Sequence, residues 1–121
     1  MILVDSSGWI EFLIDGRCAA ALEKYLTSSD LLIVPTLVMY EVYRQLSKKL
    51  DTRESLLAVT QMEKGRVISL NQEIALHAAD LSLKYQLGTA DAIIYATALE
   101  EGAKLVTLDN DFRKLPSCVV L

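Results

Sequence analysis

The sequence predicts an α/β fold, a three-layer α/β/α sandwich with a mainly parallel sheet. Short apolar segments alternate with longer segments in which apolar residues recur at helical spacing. The short segments are apolar throughout, as parallel strands covered on both faces are, instead of alternating between apolar and polar residues. The chain has 121 residues and shows no internal repeat, low-complexity tract or linker. We therefore expect one domain that covers residues 1–121.

The elements follow from two patterns, short apolar runs for strands and apolar residues three or four positions apart for helices. The predicted strands cover residues 1–4, 31–34, 66–70, 104–107 and 118–121. The predicted helices run from Ser6 or Ser7 to Gly16, over residues 18–27, 36–49 and 52–64, from Asn71 to Gly88, and from Thr89 to about residue 101. Helices thus separate nearly all strands, which favours parallel pairing.

Residues that favour helix ends set these boundaries. Hydroxyl and amide side chains accept hydrogen bonds from the free N–H groups of a first turn, and glycine tolerates the backbone that closes a last turn. The predicted N-caps are Ser6 or Ser7, Thr36 and Asn71, and the closing glycines are Gly16, Gly88 and Gly102. Pro35 is predicted to stop the second strand, because proline has no N–H for the ladder.

Composition narrows the class of protein. The chain is 52% hydrophobic and 23% charged, which suits a compact soluble core. No apolar run approaches the roughly 18–20 residues that span a bilayer, and the start lacks the basic region of a signal peptide. Cys18 and Cys118 lie far apart, without metal spacing, and are interpreted as free thiols. These features predict a cytoplasmic protein with no membrane partner.

The net charge of −4 bears on nucleic-acid binding. Proteins that bind nucleic acid through phosphate contacts alone usually carry a basic surface. Here only Arg44, Lys48 and Lys49 are close enough in sequence to form a local patch, and a solvated helix face explains them equally well. If nucleic acid is the substrate, a divalent metal would have to supply positive charge at the point of chemistry.

Acidic residues recur at the predicted ligand-binding edge of the sheet. In open α/β sheets, ligands bind outside the carboxyl ends of the strands. Asp5 directly follows the first strand, Asp109 and Asp111 follow the strand at 104–107, and Glu41 lies in the helix after the second strand. Asp91 lies in the first turn of the helix that Thr89 opens.

Each carboxylate also has a structural interpretation. Asp5 could cap a helix, Asp91 could stabilise a helix N-terminus, and Asp109 could form a turn. Glu41 could pair with Arg44, three residues later. Taken together they favour a metal site, because like charges about 6 Å apart repel by nearly 3 kcal/mol at an effective dielectric of about 20. All-oxygen ligands select Mg²⁺ or Mn²⁺, and such sites hydrolyse phosphodiesters.

Four segments of the chain, VDSSGWIEF, VPTLVMYEV, TADAIIYATA and LVTLDNDF, resemble the acidic motifs of the PIN domain. They stand in that family's order and spacing, and the resemblance covers essentially the whole chain. The size is similar to that of the toxin half of VapBC-type toxin–antitoxin pairs. The resemblance implies a metal-dependent endoribonuclease on a twisted parallel sheet.

The resemblance also implies roles for particular residues. Asp5, Glu41 and Asp91 match the acidic triad that holds Mg²⁺ or Mn²⁺, and Asp109 matches a fourth acid, which completes the predicted catalytic and metal-binding set. Asp111 is expected to be more structural, and Ser6 and Thr107 match polar positions near the metal. The implied partners are an RNA substrate, a protein antitoxin whose tail enters the acidic groove, and a second copy in a homodimer.

Another class of function remains open. The protein could be a non-catalytic interaction module whose acidic groove binds a basic partner tail. A Ser–His triad or a histidine metal site is improbable, because His77 is the only histidine and lies mid-helix. Metal dependence discriminates the two candidates, since hydrolysis needs Mg²⁺ or Mn²⁺ and a groove for arginine does not.

Overall fold

The computed structural model describes residues 1–121 apart from the side chain of Ser29. The strands are β1 (Ile2–Val4), β2 (Leu32–Pro35), β3 (Arg66–Ile68), β4 (Lys104–Thr107) and β5 (Cys118–Val120). The helices are α1 (Ser6–Leu13), α2 (Ala19–Leu26), α3 (Thr36–Leu46), α4 (Thr52–Met62), α5 (Gln72–Tyr85) and α6 (Thr89–Glu100). Two short 3₁₀ turns lie at Ser29–Leu31 and Asn110–Phe112.

The five strands form one parallel sheet in the order β3-β2-β1-β4-β5. The chain moves from β1 to β2 and β3 in one direction, then crosses back to place β4 on the other side of β1. The strand order therefore reverses between β1 and β4. In sheets of this kind the crevice at that reversal, outside the strand carboxyl ends, is where ligands bind.

Helices cover both faces of the sheet, so the predicted three-layer sandwich is confirmed. Right-handed crossovers place α1 to α4 over one face and α5 with α6 over the other, and α1 packs against α2 and α3 while α5 packs against α6. The central strands are buried, with Leu3, Val34 and Leu105 completely inaccessible. Among the described residues, no helix has the length and apolar character needed to cross a membrane.

Three predicted helix ends are corrected by the structure. Asp5, and neither Ser6 nor Ser7, is the N-cap of α1, because its carboxylate accepts the hydrogen bond of the Gly8 N–H. Pro35 occupies the N-cap position of α3 with no side-chain hydrogen bond, so Thr36 is the first helical residue. Helix α5 closes at Gln86, which adopts a left-handed backbone with φ 57°.

Several predicted elements are also shorter than expected. The strand predicted at residues 66–70 ends at Ile68, because its one neighbour, β2, pairs only as far as Pro35 opposite Ile68. The second strand begins at Leu32 and includes Pro35. The helices predicted at residues 18–27, 36–49 and 52–64 end at Leu26, Leu46 and Met62. Asn71 caps α5 as predicted, through the Ile74 N–H.

Candidate active site

Asp5 is fixed at the crevice between β1 and β4. Its backbone N–H continues the β1–β4 ladder by donating to the carbonyl of Val106 at 3.1 Å. Its Oδ1 accepts hydrogen bonds from Ser7 Oγ at 2.7 Å and from the Gly8 N–H at 3.0 Å. Its Oδ2 accepts one from Thr107 Oγ1. Asp5 is only 7% exposed. Three hydrogen bonds to its carboxylate and one from its backbone N–H, made with α1 and β4, hold it at the end of the strand.

The segment after β4 is a rigid turn. The Thr107 hydroxyl accepts a hydrogen bond from the Asp109 N–H at 3.0 Å, and Asp109 Oδ1 accepts one from the Asp111 N–H at 2.9 Å. Phe112 anchors the turn in the core with 1% exposure. Asp109 is half-buried at the crevice, whereas Asp111 is exposed. The expectation that Asp111 is more structural than Asp109 stays a prediction.

Glu41 enters the site from α3, one turn after buried Val38. Its Oε1 atom is buried and has no hydrogen-bond partner among the described residues. The ion pairs among the described side chains join Arg66 to Glu101 and His77 to Glu100, so Arg44 does not neutralise Glu41. An unpaired buried carboxylate oxygen is costly, and bound cations are a common reason for one to persist.

Asp91 enters the site from the first turn of α6, a helix whose following residues Ala92 and Ile94 are buried. Burial and the negative charges of Asp109, Asp5, Glu41 and Asp111 raise the pKa of Asp91 to about 6. Asp91 therefore lies within electrostatic range of the other four carboxylates. A shift of this kind in a crevice marks a candidate functional group.

The pKa values of Asp5 and Glu41 are raised as well. Burial raises the pKa of Asp5, and the hydrogen bonds from Thr107, Ser7 and Gly8 oppose that rise. Burial raises the pKa of Glu41, the side chain of Ser6 opposes the rise, and the charge of Asp5 adds to it. The charge of Asp5 thus raises the pKa of the carboxyl groups of both Glu41 and Asp91, and the charge of Asp109 raises that of Asp5.

Ser6 and Ser7 contact different carboxylates of the crevice. Ser7, predicted only as an alternative helix cap, donates to Asp5 Oδ1 and accepts a hydrogen bond from the Leu108 N–H at 3.2 Å. Ser6, predicted as a polar neighbour of the metal, lies beside Glu41, one of the proposed ligands. The available signal for Ser7 was its position in the first helical turn, two residues after Asp5.

The donor set fits a hard divalent cation. Every candidate ligand is a carboxylate oxygen, the donor type that Mg²⁺ and Mn²⁺ prefer. Within the described residues, no group of three or more His, Cys, Asp or Glu side chains could hold an ion as the side chains stand. The buried Glu41 Oε1 nevertheless lacks a partner that a cation could provide. The neighbouring negative charges that help to raise the pKa of Asp91 would also be balanced by a cation.

Solved structures that share the fold of this chain include a toxin–antitoxin complex and a toxin. A toxin–antitoxin complex from Klebsiella pneumoniae is 24% identical, with TM-score 0.84 over 99% of this chain and 97% of that chain. Mycobacterium tuberculosis VapC20, a Sarcin-Ricin loop cleaving toxin, is 15% identical, with TM-score 0.78 over 96% and 95%. DNA-bound VapBC from Salmonella typhimurium is 18% identical, with TM-score 0.74 over 100% and 98%.

Sequence comparison gives two further findings. Curated protein sequences yield no match. The family model of the PIN domain matches residues 2–117, which is nearly the whole chain and includes every acidic residue of the crevice. The protein therefore belongs to the PIN domain family.

Proposed function

We propose that this protein is a metal-dependent endoribonuclease that hydrolyses RNA phosphodiester bonds and acts as the toxin of a toxin–antitoxin pair. The observation that carries the proposal is the grouping of Asp5, Glu41, Asp91 and Asp109 at one crevice, with the buried Glu41 Oε1 left unpaired. Burial there, together with the charges of Asp109, Asp5 and Glu41, raises the pKa of Asp91 to about 6. These side chains come from four separate parts of the chain and meet where the strand order reverses. Structural packing alone gives no reason to bring them together.

In this mechanism Asp5, Glu41, Asp91 and Asp109 would hold Mg²⁺ or Mn²⁺. Such an ion would supply positive charge at the scissile phosphate and would lower the pKa of an attacking water. Ser7 and Thr107 keep the Asp5 carboxylate in one orientation, because each donates to a different carboxylate oxygen. Asp109 Oδ1 accepts the Asp111 N–H, which leaves Oδ2 to position the attacking water.

The cellular role is inferred from the structural neighbours. Those neighbours are a toxin–antitoxin complex, a toxin that cleaves the Sarcin-Ricin loop and a DNA-bound VapBC complex. By analogy, this chain acts on RNA in the cytoplasm, forms a homodimer, and is neutralised by a protein antitoxin whose basic tail enters the acidic crevice. Electrostatic complementarity favours such a tail, since the crevice carries the carboxylates and the chain has a net charge of −4.

The test is RNA cleavage by the purified protein with Mn²⁺ and without it. We expect cleavage only with metal, and we expect Asp91→Asn to reduce the rate by at least about 100-fold, as loss of a key electrostatic group commonly does. Asp80→Asn is the matched control, because it makes the same change at an exposed position of α5.

Undiminished cleavage by the Asp91→Asn protein would overturn the proposed role of the crevice. A different result separates the interaction module from the enzyme. If neither protein cleaves RNA, and a basic peptide binds the wild-type crevice more tightly without metal than with it, the carboxylates form a docking surface and the nuclease proposal is wrong.

A further inference from the structure

A second feature adjoins the carboxylates, an open cleft of about 450 Å³ between α1 and α3. Its walls include Ser6 and Ser7 from α1, and Tyr40, Glu41, Arg44 and Gln45 from α3. The cleft and the acidic crevice share Glu41 and Ser7, so a molecule in one borders the other. Its volume falls within the roughly 300–1,000 Å³ range of small-molecule sites.

Arg44 supplies positive charge next to a negatively charged site. It is exposed, and the ion pairs among the described side chains do not include it, although Glu41 lies only three residues away. A guanidinium that is not paired with a carboxylate can bind a phosphate through two parallel hydrogen bonds. Arg44 therefore provides what the acidic crevice lacks, a permanent cation for the sugar–phosphate backbone.

Tyr40 supplies a flat aromatic surface on the same helix. Its side chain is 61% exposed, whereas Trp9, Tyr95 and Phe112 are at most 2% exposed. Tyr40 and Arg44 are four residues apart in α3, so their side chains lie on one face of the helix, one turn apart. Proteins that recognise unpaired RNA commonly stack a base on an exposed aromatic ring beside a basic group that binds the phosphate.

We propose that the cleft between α1 and α3 binds one unpaired nucleotide next to the scissile phosphate, with its base stacked on Tyr40 and its phosphate bound by Arg44. The inference rests on the proposed ribonuclease function and adds to it a nucleotide-binding subsite formed by this chain's own Tyr40 and Arg44. Ser6, Glu41 and Gln45 line the same cleft with polar atoms that can contact the sugar or the base edge. In this arrangement the Arg44 side chain supplies the positive charge with which an otherwise acidic protein positions RNA.

Steady-state cleavage of a seven-nucleotide single-stranded RNA in Mn²⁺ tests the site. We expect Arg44→Gln to raise KM about tenfold with kcat within a factor of two, because the residue binds substrate away from the reacting atoms. Its salt dependence should weaken by about 0.7 in log–log slope, the value for one lost phosphate contact on a single strand. Arg53→Gln is the matched control, since Arg53 is an exposed arginine of α4 that does not line the cleft.

Tyr40 is tested with two substitutions. Tyr40→Ala removes the ring and should raise KM about tenfold, the size of effect that loss of one base–aromatic stack produces. Tyr40→Phe keeps the ring and should restore KM toward the wild-type value. A fully paired RNA of the same sequence should be cleaved at least tenfold less efficiently, because its bases are not free to stack on protein.

The outcomes separate this inference from the proposed function. Cleavage by the wild-type protein with equal KM for the Arg44→Gln and Arg53→Gln variants would overturn the nucleotide site and leave the nuclease standing. If the wild-type protein does not cleave, fluorescence anisotropy with the labelled seven-nucleotide RNA decides. Binding that weakens in the Arg44→Gln and Tyr40→Ala variants, but not in Arg53→Gln, supports the nucleotide site without the nuclease. Binding that is absent, or unaltered in these variants, overturns the site.

Discussion

The hydroxyl of Thr107 donates a hydrogen bond to the carboxylate of Asp5, joining the ends of β4 and β1 across 102 positions of sequence. The same hydroxyl accepts a hydrogen bond from the Asp109 N–H at 3.0 Å. Thr107 is completely buried and Asp5 is 7% exposed. One side chain thus fixes both a proposed metal ligand and the start of the turn that carries another.

Replacing Thr107 by valine tests this double role. Valine has nearly the same shape, so the change removes the hydroxyl and leaves the Asp109 N–H and Asp5 Oδ2 each without a partner. Because the Asp5 contact is buried and the Asp109 contact is partly buried, we expect the free energy of unfolding to fall by about 1–3 kcal/mol. Urea unfolding measures this, and RNA cleavage should fall as Asp5 loses its orientation.

Thr107→Ser is the control for that prediction, since it restores the hydroxyl and removes only a methyl group. We expect its cleavage rate to lie much closer to wild type than that of Thr107→Val. A wild-type cleavage rate in Thr107→Val as well as in Thr107→Ser would mean that the hydrogen bonds of the Thr107 hydroxyl do not position the carboxylate.

Much of the fold and the acidic residues of the site could be predicted from local sequence. Asp5 and Asp109 were identifiable because each follows an uninterrupted apolar run, and the carboxyl ends of parallel strands share one edge of a sheet. Glu41 was identifiable because a glutamate beside the apolar face of a helix needs a partner.

The supporting contacts could not be predicted, because they depend on strand order. Thr107 meets Asp5 only because β4 pairs with β1 in the register that places Val4 opposite Val106. Nothing in either local segment specifies that pairing. The choice of Asp5 as the cap could not be made for a related reason, since Asp5, Ser6 and Ser7 are all good N-caps and only the observed backbone selects among them.

Gly8 is expected to be intolerant of a side chain. A Cβ at this position would lie 2.5 Å from Val4 Cγ1 and 3.3 Å from Leu22 Cδ2, both in the buried core. Gly8→Ala would ordinarily favour a helix by about 0.5–1 kcal/mol, but overpacking here should reverse the sign and cost about 1–3 kcal/mol. Urea unfolding measures the change, because α1 must move away from β1 and α2 to admit the methyl group.

Gly88→Ala is the control for Gly8, because a Cβ there meets nothing within 4 Å. Its cost should be confined to the N-cap preference and remain below about 1 kcal/mol. Loss of equal size at the two positions would contradict the packing explanation and point to a general effect of alanine at the start of these helices.

Mn²⁺ should stabilise the folded protein. A cation that binds only the native crevice adds free energy in proportion to the logarithm of its concentration, about 2.7 kcal/mol at 100 times Kd. We expect the melting temperature to rise by several degrees at saturating Mn²⁺ and to return to its starting value with EDTA. Differential scanning fluorimetry of wild-type, Asp91→Asn and Asp80→Asn proteins measures the effect.

The two variants make that prediction specific. Asp91→Asn should lose most of the metal-induced shift, whereas Asp80→Asn on the exposed face of α5 should keep it. A metal shift of the same size in all three proteins would place the bound cation outside the crevice and contradict the proposed ligand set.

Without metal, Asp91 should make stability depend on pH in a definite direction. Its pKa is raised from 3.8 to about 6, so between these values the native state binds more protons than the unfolded state. The free energy of unfolding contributed by this group is therefore fully present below about pH 4 and is lost as pH rises through about 6. Asparagine has no proton to lose, so in EDTA the Asp91→Asn protein should match the wild-type protein near pH 4 and exceed it in stability at pH 7.

Urea unfolding of both proteins at pH 4, 5, 6 and 7 measures the difference, with Asp80→Asn as the control for a general loss of charge. A difference between Asp91→Asn and wild type that stays constant with pH would mean that repulsion among the carboxylates does not act on Asp91.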